Sequence, residues 1–137
     1  MKIHTTNYYN AFIEVAEDCP VSTAEIPPRK SVATVAEIQY EMISKNPYKF
    51  TSAEVIFQTY FIRNNLSESG KNEERKKFFS KRQACMRSSA LAKRYGFGIH
   101  HNEDGKIALF PLESEEYKGF TTLESIKKVK AMRSKKP

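Results

Sequence analysis

The sequence has few of the residues that cross-link a protein or mark a metal site. It contains two cysteines, Cys19 and Cys85, three histidines and no tryptophan in 137 residues. Two cysteines outside a CxxC spacing provide neither a disulfide framework nor a cysteine-rich zinc site. We therefore expect two reduced thiols, as is typical of a cytoplasmic protein.

Long hydrophobic runs are also missing. None of the uncharged apolar stretches approaches the roughly 20 residues that a membrane-spanning helix needs. The first six residues, MKIHTT, lack the apolar segment of a secretory signal peptide. We expect a cytoplasmic chain that has no membrane partner.

Positive charge is concentrated in the second half of the chain. Residues 1–64 carry 6 Lys/Arg and 7 Asp/Glu, whereas residues 65–137 carry 17 and 9, a net charge of +8. A basic half predicts an anionic partner, such as a phosphorylated ligand, nucleic acid or an acidic protein. The alternative is that these lysines and arginines are only solvated surface.

The first part of the chain predicts one strand followed by helices. Apolar and polar side chains alternate over residues 8–16, which indicates a half-buried strand. Residues 32–45 carry an apolar stripe at helical spacing. Thr51 and Glu54 form a capping-box pattern that opens a second helix with an aromatic stripe. The charged residues 73–81 predict a short third helix.

The second part of the chain predicts a β-hairpin. Residues 97–101 and 106–110 alternate on either side of a turn that ends in glycine. Residues 123–133 fit both a basic helix and a strand, and their pattern leaves the choice open.

Together these elements predict an α+β fold. We expect a single compact domain over residues 1–137, with a small antiparallel sheet that includes the hairpin near 97–110. Several helices should pack against this sheet, and the basic tail at 133–137 should fray.

The segment 85–110 concentrates the reactive side chains. One of its adjacent serines is a good N-cap for a short helix over residues 90–95, which Gly96 would end. The start of a helix offers free amide groups to an anion, and neighbouring cations add charge. The sequence therefore predicts a ligand-binding site made by Arg87, Ser88, Ser89, Lys93, Arg94 and His100. The alternative is that the serines only cap the helix and the cations only face water.

A catalytic interpretation of the same segment rests on Cys85 and His100. A thiol needs a neighbouring base to act as a nucleophile, and these two side chains are the weak candidates that the segment offers. No GxSxG elbow or phosphate-cradling cysteine loop is present, so a buried structural cysteine is the alternative. The sequence does not decide whether the protein is an enzyme.

Metal and cofactor motifs are not recognisable. His100 and His101 are consecutive, so on a strand they project to opposite faces and cannot chelate one ion together. The sequence has no HxH, HxxxH or HExxH spacing. We expect no metal and no cofactor.

Four stretches of the sequence resemble a family of small bacterial proteins that is catalogued only as a domain of unknown function. They read KIHTTNYYNAFIEVAEDCP, EMISKNPYKF, RSSALAKRYGFGIH and IKKVKAMRSKK. The resemblance covers nearly the whole chain, and it implies one complete domain in a bacterial cytoplasm. It assigns no catalytic or ligand-binding residue.

The combined expectation is a non-enzymatic binding or accessory domain whose basic second half engages an anionic partner. Two alternatives stay open. One is a small enzyme centred on Cys85 and His100. The other is a homo-oligomeric interaction protein, such as a homodimer.

Overall fold

The computed structural model describes residues 6–134, which form five helices, four strands and two 3-10 turns. The predicted frayed tail at 133–137 lies mostly outside the described residues. The helices are α1 (Val35–Lys45), α2 (Ser52–Arg63), α3 (Lys71–Phe79), α4 (Ala90–Lys93) and α5 (Glu115–Thr122). The strands are β1 (Ala11–Glu14), β2 (Phe97–His101), β3 (Ile107–Pro111) and β4 (Lys127–Lys130), and the 3-10 turns are Glu68–Gly70 and Met86–Ser88.

The four strands form one mixed sheet in the order β3-β2-β1-β4. β2 pairs antiparallel with both β3 and β1, and β4 joins the other side of β1 in parallel. The predicted α+β class is confirmed. The sheet is not purely antiparallel, because the chain crosses from β3 through α5 before it returns alongside β1.

The hairpin of β2 and β3 forms where the sequence predicts it. Ile99 pairs with Leu109, and Phe97 pairs with Pro111. In the turn, the Asn102 Oδ1 atom accepts hydrogen bonds from the backbone amides of Asp104 and Lys106. The turn is therefore stabilised by a local side chain, which explains why the sequence alone indicates it.

Both faces of the sheet are covered. On one face, Ile13, Ile99 and Ile107 are almost fully buried in a core that also includes residues of α1, α2 and α4. On the other face, Phe12 is fully buried against two aromatic rings of α5, those of Tyr117 and Phe120. The expectation of a half-buried β1 was therefore wrong, because α5 covers the face that was assigned to solvent.

Gly98 allows this close approach on the α5 face. A Cβ atom at this position would overlap Phe12 Cζ and lie 2.6 Å from Tyr117 Cε2. The hydroxyl of Tyr117 in turn accepts a hydrogen bond from the Val15 backbone amide at 2.9 Å. The absence of a side chain on β2 thus lets α5 dock flat on the sheet.

Side-chain caps set the helix starts. Thr51 and Glu54 form the predicted capping box at the start of α2, and Thr34 caps α1. Ser89 is the serine that caps α4, because its Oγ atom accepts from the Leu91 amide. α4 ends at Lys93 with Arg94 as its C-cap, two residues earlier than predicted, so Gly96, with φ of +83°, lies in the connection to β2 and does not end the helix.

The C-terminal segment resolves as a strand. Lys127–Lys130 pairs in register with Ala11–Glu14, and the last helix, α5, lies earlier in the chain than residues 123–133. None of the helices among residues 6–134 is long and apolar enough to cross a membrane.

Candidate ligand-binding groove

A groove opens between α1, α2 and residues 84–90, the segment that contains the second 3-10 turn and the start of α4. Its volume is about 520 Å³, and it is open to solvent on one side. We call it the α1–α2 groove. Its walls are formed by Val35 and Gln39 of α1, by Ile56, Thr59, Tyr60 and Arg63 of α2, by Phe78 of α3, and by Cys85, Met86, Ser88 and Ser89.

The groove follows from the way α1 and α2 pack. A six-residue connection makes them a helical hairpin, so the start of α1 lies beside the end of α2. The guanidinium of Arg63 fixes this end, since Nη1 donates to the Ala33 carbonyl at 2.9 Å. Gln39 of α1 and Thr59 and Arg63 of α2 therefore line the same groove.

Gln39 is the central polar residue of the groove. Its side chain is only 6% exposed. Ser89 Oγ already accepts from the Leu91 amide, so its own proton is directed to Gln39 Oε1 at 2.6 Å. This contact leaves the Nε2 group of Gln39 without a hydrogen-bond partner among the described residues.

Gln39 is one of the residues that line the groove. The side-chain nitrogen and oxygen atoms that are both fully buried and unpartnered, within residues 6–134, are Thr6 Oγ1 and His101 Nε2. Gln39 Nε2 is not one of these two atoms, and Gln39 is among the residues that line the groove.

The nearby hydroxyl groups have already committed their protons. Thr59 Oγ1 donates to the Val55 carbonyl at 2.8 Å, and Ser88 Oγ donates to the Met132 sulfur at 3.0 Å. Arg63 keeps free N–H groups after its single bond, because a guanidinium has five. Arg63 therefore offers N–H donors, while the hydroxyl oxygens of Thr59 and Ser88 can only accept further hydrogen bonds.

Cys85 lies in the wall of the groove beside Tyr8. Its Sγ atom is 3.3 Å from the Tyr8 hydroxyl oxygen. Burial, followed by this contact, raises the pKa of Tyr8 to about 12. Tyr8 therefore stays protonated at neutral pH and can donate to the sulfur.

The structure divides the predicted site residues. Cys85, Ser88 and Ser89 line the groove, whereas Lys93 and Arg94, at the end of α4, do not. α4 has four residues, too few to make its first turn a strong anion site.

Arg87 is engaged in holding the C-terminal strand. Its Nε group donates to the Lys130 carbonyl at 2.7 Å, and its own carbonyl accepts from the Met132 amide at 2.8 Å. Part of the Arg87 guanidinium is therefore engaged with β4, and Arg87, like Lys93 and Arg94, does not line the groove.

The comparison with known families gives one match. A family of unknown function, DUF6157, matches residues 3–137. The chain belongs to DUF6157. No curated protein matches this DUF6157 chain, and no solved structure matches it. The resemblance inferred from the four sequence stretches is confirmed.

His100 of this DUF6157 protein lies on the opposite face of the sheet from the groove. Its ring stacks on Phe120 at 4.2 Å between centroids and 20° between planes. Its Nδ1 atom is 2.8 Å from the Tyr48 hydroxyl oxygen. Burial lowers the pKa of His100 below its ordinary value. Because Cys85 lies with Tyr8 on the His101 side, the structure does not bring Cys85 and His100 together.

Tyr48 adopts a backbone conformation that is unusual for an aromatic residue. Its φ is +59°, and the Lys49 amide donates to the Asn46 carbonyl at 3.1 Å. This is the geometry of a type II turn, in which Pro47 takes the second position and glycine is preferred at the third. The Tyr48 amide donates to the Ile107 carbonyl at 2.9 Å, and its hydroxyl contacts His100. No signal in the sequence indicates this pairing, since it joins a turn to a distant strand.

His101 is fully buried among the core residues. Its Nδ1 atom is 3.2 Å from the Ile99 carbonyl oxygen, and its ring meets the Tyr8 ring edge-on at 5.4 Å. Burial lowers its pKa to about 4. His100 and His101 therefore project to opposite faces, as their consecutive positions predict. Within residues 6–134, no group of three or more His, Cys, Asp and Glu side chains is placed to hold a metal ion.

Two groove residues, Gln39 and Arg63, are absent from the sequence-based candidates. Gln39 had a signal, because it is a polar residue within the mostly apolar stripe of α1 that includes Ile38, Met42 and Ile43. Arg63 had none, because its role depends on how α2 ends beside α1.

Proposed function

We propose that the protein is a binding domain for a small anion with an apolar body, held in the α1–α2 groove. The observation that supports this proposal is the lining of the groove, which is mostly apolar and has Arg63 as its one Lys, Arg, Asp or Glu among the described residues. Gln39 also lines the groove, and a ligand with an acceptor oxygen could pair with its amide N–H groups.

The charge of the groove favours an anionic ligand over a neutral one. Arg63 is the only Lys, Arg, Asp or Glu among the described residues that line it. Guanidinium groups bind carboxylates and phosphates through two parallel N–H bonds. The expected anionic partner is therefore a small molecule whose charged end lies at Arg63.

The remaining walls favour an apolar body. Val35, Ile56 and Phe78 line the groove, and the fully buried Met86 lies beneath it. The volume of about 520 Å³ lies within the range of roughly 300–1,000 Å³ that is typical of small-molecule sites. An extended chain or a single ring system would fill this space.

Two free thiols support a reducing, cytoplasmic setting for this function. Cys19 and Cys85 are unpaired, and both are partly buried. Free thiols persist where the environment is kept reduced. Binding without chemistry is the simpler proposal here, because Cys85 has no adjacent imidazole on its face that is free to act as a base: His101 is fully buried.

Binding of decanoate, compared with decanol, tests the proposal. We expect amide chemical-shift changes on α1, α2 and residues 84–90, and tighter binding of decanoate than of decanol. Arg63→Gln and Gln39→Leu should each weaken decanoate binding by about tenfold or more, since a hydrogen bond to a charged group contributes about 1.5–3 kcal/mol.

The matched control is Arg94→Gln, which removes the same charge from an exposed residue outside the groove. It should leave the affinity for decanoate within about twofold, as expected for a screened surface charge. Equal binding of decanoate and decanol, or shift changes confined to other surfaces, would contradict the proposal.

A further inference from the structure

A second cavity lies between the end of α1, α2 and the start of α3, and we call it the α2–α3 pocket. Its volume is about 430 Å³, and its polar lining consists of Asn46, Glu54, Gln58, Lys71 and Arg75. None of these five residues lines the α1–α2 groove. We propose that the α2–α3 pocket binds a small molecule with a carboxylate at one end and an amino group at the other.

Aromatic rings position the two cations of the pocket. Lys71 Nζ lies 4.7 Å from the centroid of the Phe61 ring. Arg75 Cζ lies 5.7 Å from the centroid of the Phe57 ring and 5.4 Å from that of Phe79. A cation over an aromatic face is attracted by the ring quadrupole. These contacts place both charges without using their N–H groups.

The N–H groups of Arg75 are therefore available to a ligand. Within residues 6–134, its guanidinium makes no hydrogen bond and no ion pair. Lys71 is paired loosely, because Glu68 Oε1 is 3.9 Å from its Nζ atom and the Glu68 side chain is 78% exposed. The two cations can thus serve a carboxylate, and the guanidinium can hold both of its oxygens.

The ring contacts also give the order of the charged groups along the pocket. Lys71 meets Phe61 and Arg75 meets Phe57, so α3 runs antiparallel to α2 at this point. Glu54 precedes Phe57 by three residues, which is about 4.5 Å further along α2 at about 1.5 Å per residue. The pocket therefore has a cationic end and, nearly one helical turn away, a carboxylate.

The carboxylate end offers acceptor atoms. Glu54 Oε1 accepts from the Thr51 amide at 3.0 Å in the capping box, and Oε2 has no hydrogen bond within residues 6–134. Asn46 Nδ2 donates to the Met42 carbonyl at 2.9 Å, so its Oδ1 atom is left to accept. An ammonium group has three N–H donors and no acceptor, which suits these two oxygens.

The space between the two ends suits a short aliphatic chain. Met42, Phe50 and Ile62 supply apolar lining, and Gln58 lies one turn from Glu54 on the same face of α2. An α-amino acid carries both charges on one carbon atom and cannot reach both ends. The class of ligand is therefore an ω-amino carboxylate. This inference does not rest on the proposed function of the α1–α2 groove.

NMR titration of the full chain with 6-aminohexanoate, hexanoate and hexylamine tests the proposal. We expect 6-aminohexanoate to shift the Gln58 side-chain amide and the backbone amides of residues 71–75. It should bind about threefold or more tighter than either single-ended compound, since each end adds a charge pair near the surface. Free glycine should not compete with it.

Substitutions assign the two ends. Glu54→Gln removes the charge but keeps the capping box, because glutamine also serves at that position. It should abolish the preference for 6-aminohexanoate over hexanoate. Lys71→Gln and Arg75→Gln should each reduce the preference over hexylamine. The matched control is Lys76→Gln, on the same helix but outside the pocket, which should change the affinity by less than about twofold.

Equal binding of the three compounds at Gln58, or a preference over hexanoate that survives Glu54→Gln, would overturn the inference. Lys71→Gln leaves the contacts of Arg75 with Phe57 and Phe79 in place, so its effect separates loss of charge from loss of packing. The proposed function is judged separately, by decanoate shifts at residues 84–90. Decanoate binding there without shifts at Gln58 would refute the α2–α3 pocket alone.

Discussion

The burial of His101 makes stability depend on pH in a way that can be calculated. Its ring is fully buried, and burial lowers its pKa from the ordinary 6.5 to about 4. Between these values the unfolded chain binds the proton and the folded chain does not. Stability is therefore complete above pH 6.5 and is lost as the pH falls towards 4.

The size of the effect follows from the difference in pKa. A shift of one pKa unit corresponds to about 1.4 kcal/mol, so the full loss at the acid limit is about 3 kcal/mol. The free energy of unfolding should fall by about 2 kcal/mol between about pH 7.5 and pH 5 from His101 alone. Burial also lowers the pKa of His100, which adds a contribution of the same sign.

Urea unfolding at a series of pH values measures this dependence. His101→Leu removes the titrating group and should flatten the profile between about pH 7.5 and pH 5, whatever its effect on absolute stability. His100→Asn should retain most of the dependence and serves as the control on the other face of the sheet. A wild-type free energy that is constant over this interval, or an unchanged slope in His101→Leu, would refute the burial argument.

Four further substitutions test other contacts, with urea unfolding as the common measurement. Gly98→Ala should destabilise the fold by about 1–3 kcal/mol or more, because its Cβ overlaps two aromatic rings. Gly119→Ala, within α5 and with open space around the added methyl, should instead be neutral or stabilise by up to about 1 kcal/mol. Thr51→Ala should cost about 1 kcal/mol through loss of the capping box, and an unchanged midpoint would contradict that role. Tyr48→Phe should cost about 1 kcal/mol by removing the hydroxyl from His100, and NMR titration should show a changed pKa for that imidazole if the contact persists in solution.

Local signals predicted the parts of the fold that local interactions determine. The capping box of Thr51 and Glu54 and the turn around Asn102 are both formed by residues within five positions of one another. Such contacts leave a pattern in the sequence that is independent of the rest of the chain. These elements were therefore found at or near their true positions.

The parts that depend on distant pairing could not be predicted in the same way. Residues 127–130 become a strand because β1, more than a hundred positions earlier, provides the hydrogen-bond partner. Phe12 is buried because α5 arrives over it, although its alternation with Ile13 suggested a solvent-facing side. In both cases the tertiary partner decides the outcome.

The candidate site shows the same division. The sequence shows which reactive residue types lie near Cys85. It also predicts that one of two serines caps α4, and Ser89 is that serine. Their grouping was not apparent, because Ser89 turns inward to Gln39 and Arg87 turns to the C-terminal strand. A positively charged segment becomes a binding site only if its side chains point to one place. In this protein, the packing of α1 on α2 decides which side chains share the groove.

Tyr8 connects the pH-dependent core to the groove. The Tyr8 ring meets the buried His101 ring edge-on. Its hydroxyl group contacts the Cys85 sulfur. Protonation of His101 would place a charge in the core directly beside Tyr8, and the most direct relief is a movement of this ring. Such a movement would change the contact with Cys85 before it reached Gln39 or Arg63. The Tyr8 ring resonances should therefore shift in NMR spectra as the pH falls towards 4, and His101→Leu should remove this shift.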